Sequence, residues 1–159
     1  MRLKKRVRGV VTAAAAVVLA GGFVFSVLTY APGGAPETAT VRAGETVTLT
    51  VTADRVSDLY GCQFRLRYDG GAFRYEGGLV SLTPGLDTIF GKELDDGLLV
   101  GATMVGRKEG AALEDAPVCR VTLTALRDAA ADVSIDEVHI VGSDLTYAEN
   151  VAGWTVTAE

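Results

Sequence analysis

From Thr46 to Thr52 every second residue is threonine, and the residues between them, Val47, Leu49 and Val51, are apolar. A period of two is that of a strand with one face buried and one in water. The pattern returns in Cys62 to Tyr68, where Cys62, Phe64, Leu66 and Tyr68 alternate with Gln63, Arg65 and Arg67. It returns again in Val118 to Leu126, with Cys119, Val121, Leu123 and Ala125 on one side and Arg120, Thr122 and Thr124 on the other. Strands that bury one face belong to an antiparallel sandwich. The displayed faces remain available for binding, so function is expected on a sheet surface rather than in a catalytic cleft.

The first 30 residues are a separate object. Arg2, Lys4, Lys5, Arg6 and Arg8 form a basic head without acids, and Val10 to Tyr30 carries no charge. A basic head followed by an apolar run describes an export signal. The run approaches the roughly 20 residues that span a bilayer, and Pro32 follows Ala31 at a poor cleavage position. Residues 1–30 are therefore expected to be either a retained signal anchor in the membrane or a cleaved signal peptide. In both cases the remainder is exported, to the cell surface or beyond it. Residues 31–36, APGGAP, read as a linker, and residues 37–159 are of a size for one domain.

Of 15 Lys and Arg, five lie in the basic head, so the exported part has 15 − 5 = 10 against all 20 Asp and Glu. A net charge of −10 argues against nucleic acid as a partner. Turn signals at Ala43-Gly44-Glu45, Asp69-Gly70-Gly71, Pro84-Gly85 and Asp95-Asp96-Gly97 recur at the spacing of an all-β sandwich. Further strands are expected over Phe73 to Val80, Leu98 to Val105, Val133 to Val141 and Gly153 to Ala158. Ser81 to Gly97 reads as the least regular part, and Ala111 to Asp115 as a short helical turn.

Catalytic and metal chemistry has no signature. The single histidine, His139, falls in an expected strand without zinc-spaced ligands. No serine occupies a G-x-S-x-G turn. Glu93, Asp95 and Asp96, like Glu114 and Asp115, lack the ligand ladder of a calcium loop and read as solvated acids. No cofactor, metal or enzyme activity is expected. Cys62 and Cys119 both fall on apolar phases, and export permits a disulfide if their strands are neighbours. The alternative is two buried thiols. Trp154 is the sole tryptophan, and no row of exposed aromatics is apparent.

In this order, GETVTLTV (Gly44 to Val51), DLYGCQFRLRYD (Asp58 to Asp69), PVCRVTLTA (Pro117 to Ala125) and VSIDEVHIV (Val133 to Val141) resemble cohesin domains. These modules bind dockerins in cellulosomes and related bacterial cell-surface assemblies. The resemblance runs from Thr40 to about Thr157 and is most specific over Tyr60 to Asp69. It implies a jelly-roll sandwich of about nine strands and a dockerin-containing partner. It implies that the partner lands on one sheet, and carries over by position Gly61, Gln63, Arg65 and Arg67, then Leu99, Gly101 and Thr103, then Arg120 and Thr122. Where the family often has Asn-x-Asp, this chain has Gly61 and Gln63. Gln63 still donates and accepts, but the anionic acceptor is gone. Arg65, Arg67 and Arg120 on an acidic domain suggest a partner face bearing carboxylates, or else arginines that only solubilise a sheet. Cohesins share their fold with a carbohydrate-binding module family, so a polysaccharide is the alternative ligand. Tyr60, Tyr147 and Trp154 would then be the contact aromatics.

Overall fold

A computed structural model of the chain describes residues 40–159. The expected signal or anchor (1–30), the linker (31–36) and residues 37–39 lie outside the described residues. Among the described residues the regular structure is entirely β. The strands are β1 (Thr40–Val41), β2 (Thr46–Ala53), β3 (Val56–Leu59), β4 (Gly61–Arg67), β5 (Phe73–Tyr75), β6 (Val80–Ser81) and β7 (Thr88–Leu94). They continue with β8 (Gly97–Thr103), β9 (Ala111–Leu113), β10 (Ala116–Ala125), β11 (Ala129–Ala130), β12 (Ser134–Val141), β13 (Tyr147–Glu149) and β14 (Trp154–Ala158). One five-stranded sheet has the order β14-β2-β10-β5, with β6 also on β10. The other has the order β13-β12-β4-β8-β7, and all pairs are antiparallel. Two short pairs, β1-β11 and β3-β9, form separate two-stranded sheets. The expected all-β sandwich is thus formed, with two five-stranded sheets in place of about nine strands.

The alternation in the sequence explains the two layers. Leu49 and Val51 of β2 and Cys119, Val121 and Leu123 of β10 are fully buried. They meet Phe64 and Leu66 of β4 and Leu98 and Val100 of β8, which are equally buried. Each such side chain contributes about 1.5–3 kcal/mol by leaving water. Trp154 completes the layer, its ring 5.5 Å from that of Phe64.

Three local expectations change. The Ser81 to Gly97 stretch contains a full strand, β7, which pairs with β8 from Thr88↔Thr103 to Leu94↔Gly97. It is an edge strand on which no residue is fully buried, so its sequence carries no core alternation. Ala111 to Leu113 is a strand rather than a helical turn, because β3 offers it a backbone partner and Gly110 N donates to Asp58 Oδ1 at 2.8 Å. The long fourth strand is short: β5 ends at Tyr75, and β6 joins β10 separately.

Phe64→Ala is expected to lower the unfolding free energy by about 3–5 kcal/mol, the usual cost of emptying a buried phenylalanine site. Thr48→Ala, on the outer face of β2, should stay within about 0.5 kcal/mol of the parent. Urea titration of the two variants checks both.

Candidate functional site

Cross-strand partners share a sheet face, so register fixes which side chains stand together. Cys62, Phe64 and Leu66 point inward. Gly61, Gln63, Arg65 and Arg67 therefore stand on the outer face of the β13-β12-β4-β8-β7 sheet. On β8 the partners are Gly61↔Thr103, Gln63↔Gly101 and Arg65↔Leu99. Seven of the nine carried-over positions thus form one patch on two adjacent strands.

Arg120 and Thr122 do not join it. They lie on β10 of the opposite sheet, paired with Thr50 and Thr48. The reason is geometric: β4 and β10 press their apolar phases against each other, so their polar phases leave in opposite directions. The expectation that Arg120 and Thr122 share a face with Gln63 and Arg65 is corrected accordingly.

Cys62 is on one sheet and Cys119 on the other, both on inward phases, and both thiols are free and buried, the second of the two arrangements the sequence allows. Burial pushes each thiol up to about 12. Thiolate is the reactive form, so neither should be labelled by a thiol reagent at pH 8 in the native protein, whereas both should react in denaturant. Mass spectrometry of native and unfolded samples reads the difference.

The arginine pair is not a free cationic surface. Arg65 contacts Glu137 at 3.2 Å and Asp96 at 3.3 Å. Arg67 Nε donates to Asp136 Oδ2 at 2.9 Å, its Nη2 to Glu137 Oε1 at 3.2 Å, and its Nη1 to Asp96. The Asp136 hydrogen bond is the main cause that raises the Arg67 guanidinium above its ordinary value. A bulge in β12 builds this cluster. Pairing with β4 shifts between Asp136 and His139, and Glu137 takes a φ of 49°. Bulges redirect side chains in this way, and here the redirected carboxylate reaches both guanidinium groups. Two cations meet three anions, so the local excess is negative rather than positive.

What the face leaves open is aromatic. Phe90 of β7 pairs with Gly101, and its ring lies over that glycine, in the space a Cβ would occupy. Phe90 is 57% exposed. On the other side of Gln63 stands His139, its register partner on β12. His139 is stacked on Tyr147 with ring centroids 5.8 Å apart, and the Tyr147 hydroxyl lies 3.0 Å from His139 Nδ1. Tyr147 is 59% exposed. The strip therefore reads Phe90, Gln63, His139 and Tyr147. The sequence alone does not announce Phe90, since its place follows from the pairing of an edge strand. Its one local signal is Thr88-x-Phe90-x-Lys92 with glycine at 91.

The other named aromatics fall elsewhere. Trp154 is a core residue at 7% exposure. Tyr60 is partly buried and donates its hydroxyl to the Arg107 carbonyl at 3.2 Å. Of the loop acids, Asp96 belongs to the arginine cluster, and Glu93 Oε1 accepts from Tyr75 N at 3.0 Å. Among the described residues no three His, Cys, Asp or Glu side chains gather as a metal site.

Asp58 ties the end of this sheet to its neighbours. Its Oδ2 accepts from Ser143 N at 2.9 Å and Ser143 Oγ at 2.8 Å, while Oδ1 accepts from Gly110. The Ser143 bonds hold its carboxyl below the usual range, against the opposing charge of Asp144. Asp144 is itself lowered by its bonds from Thr146. A carboxyl depressed in the folded state contributes stability above its unfolded value, and that stability is lost as pH falls through the folded one. Both acids thus predict a loss of stability below about pH 4. Asp58→Asn should flatten that acid limb in thermal melts taken between pH 2 and pH 6.

A family profile described as the cohesin domain matches residues 35–156. Among solved structures, the chain is similar to the cohesin module of a Clostridium perfringens family 33 glycoside hydrolase. The two are 14% identical with a TM-score of 0.58, covering 74% of this chain and 86% of that one. It is also similar to the sixth cohesin of Acetivibrio cellulolyticus scaffoldin B, in complex with a mutant Cel5 dockerin. There the identity is 21% and the TM-score 0.50, covering 67% of this chain and 83% of that one. No curated protein matches the chain.

Proposed function

Because the chain belongs to the cohesin family, we propose that it is a non-catalytic docking module that binds a dockerin-bearing protein on the outer face of the β13-β12-β4-β8-β7 sheet. The observation that carries this reading is the strip of Phe90, Gln63, His139 and Tyr147. It joins two exposed aromatic rings to an amide that donates and accepts, on one sheet face. Aromatic residues with a polar handle are enriched among the residues that dominate binding energy. The complex that the scaffoldin B cohesin forms with a dockerin supports the choice of partner.

Arg65 and Arg67 take a different part from the one the sequence suggests. Their guanidinium groups are occupied within the chain and shape the face, leaving the aromatic strip for contact. Arg120 and Thr122, on the opposite sheet, lie outside the docking surface. The basic head and the charge-free Val10 to Tyr30 support export, with the domain held at the cell surface by a membrane anchor or released from it.

The test is titration of the full chain with dockerin modules from the same organism. Phe90→Ala and Gln63→Ala should each weaken binding at least about tenfold, equivalent to about 1.4 kcal/mol. Arg120→Glu should remain within about twofold of the parent, since a distant surface charge changes little. Equal loss in Arg120→Glu and Phe90→Ala would sink the assignment of the face. Binding of a soluble polysaccharide, with no dockerin bound, would transfer the function to the carbohydrate alternative.

A further inference from the structure

The arginine cluster on β4 is layered. Side-chain exposure is 23% for Arg65 and 32% for Arg67, against 52% for Asp96, 45% for Asp136 and 50% for Glu137. The guanidinium groups lie against the sheet and the carboxylates stand over them. A molecule approaching this end of the face meets acid before it meets base. Two backbone features build that cover. On β12, Asp136 is opposite Arg65 and His139 is opposite Gln63, so Glu137 and Val138 together oppose Phe64. Val138 takes the inward place at 5% exposure, and Glu137 is turned outward beside Asp136. Consecutive residues of a regular strand point to opposite faces, so only the bulge sets two carboxylates side by side. Glu137 holds a φ of 49° to do so, a region that favours glycine or asparagine. From the other side, a Cβ on Gly97 would collide with the Leu66 carbonyl. Glycine there lets the β7–β8 turn press onto β4, which sets Asp96 beside both arginines.

One oxygen of Glu137 bridges the pair. Its Oε1 accepts from Arg65 Nη1 and from Arg67 Nη2, each at 3.2 Å. Arg65 Nε is buried without a partner among the described residues. The two arginines stand on one face, about 7 Å apart along the strand. Planar guanidinium groups bind carboxylates through paired hydrogen bonds, so Arg65 and Arg67 together have the chemistry of a carboxylate site. Glu137 fills that site from within the chain.

We propose that Glu137 is a specificity-determining residue: it closes a carboxylate-binding site formed by Arg65 and Arg67, and so excludes partners with an acidic facing segment from this end of the docking face. The exclusion of partners rests on the docking reading above, whereas the closed site does not. An acidic segment would have to displace Glu137 and lie against Asp96 and Asp136, and like charges brought together at an interface are strongly unfavourable. The strain at Glu137 fits this role. Glycine would suit the backbone better but would leave the arginines open.

Glu137→Gln and Glu137→Gly in the full chain test this, with citrate as the first probe. Glutamine keeps the length of the side chain, and glycine suits the left-handed backbone. Citrate at about 20 mM and constant ionic strength should raise the melting temperature of each variant by about 3 °C or more, and that of the parent by less than about 1 °C. Adding Arg65→Gln to either variant should abolish the shift. A glutamate-rich peptide on a resin should retain both variants and let the parent pass. Affinity for a recombinant dockerin module from the same organism should stay within about threefold of the parent in both variants, whereas a loss of about tenfold or more would make Glu137 a contact for the partner and overturn the proposal. A citrate shift no larger in the variants than in the parent would also overturn it. So would retention of the parent on the peptide resin, or a glutamine variant that melts several degrees below the parent, which would make Glu137 a structural residue. If the parent binds no dockerin, the docking reading falls and the citrate shift decides the closed site alone.

Discussion

The contact between the inner faces of β4 and β8 and those of β2 and β10 is what the remaining structure depends on. Phe64, Leu66, Leu98 and Val100 meet Leu49, Val51, Val121 and Leu123, and all eight are fully buried. Because side chains alternate along a strand, fixing these residues inward fixes every intervening residue outward. The outer faces of the sandwich are therefore consequences of the core. A one-residue slip of β4 would bury Gln63, Arg65 and Arg67 and expose Phe64, which explains why the register is held strongly.

From that constraint the two outer faces acquire different chemistry. The outer side of β2, β10 and β14 is dominated by threonine, with Arg120 on β10. The outer side of the other sheet concentrates charge at one end and aromatic surface at the other. The β12 bulge separates them: by inserting Glu137 beside Arg65 and Arg67 it neutralises the guanidinium groups locally. Exposed ion pairs contribute little singly, but a cluster in which one carboxylate serves two arginines orders both side chains against the sheet. The Phe90 and Tyr147 rings are left exposed on that face.

The ends of the sheet are governed by short polar bonds rather than by apolar burial. Asp58 connects the β3 strand, Gly110 ahead of β9 and the β12–β13 turn through a single carboxylate. That turn carries an exposed leucine at a φ of 67°, a backbone region unfavourable for a bulky side chain. The framework and the β12–β13 turn are thus linked by one acid whose acceptor oxygens are both occupied.

The sequence by itself determined the strand periods, and with them the all-β class, the inward residues of β2, β4 and β10, the burial of both cysteines and the family resemblance. Alternation is a local property, legible wherever one face is deeply buried. It determined less where burial is shallow: the edge strand β7 has no deeply buried residue, and β9 forms because β3 provides a pairing edge that no local pattern announces. Tertiary structure alone decided which outward residues share a surface. Gln63 and Arg120 have the same local pattern, yet they stand on opposite sides of the molecule because their strands pack front to front. It also decided that Arg65 and Arg67 are occupied, since Asp96, Asp136 and Glu137 approach them from 29 to 72 residues away in the chain. Charge pairing over such separations depends on register, a bulge and a turn acting together, and none of these is fixed by the residues of β4 alone.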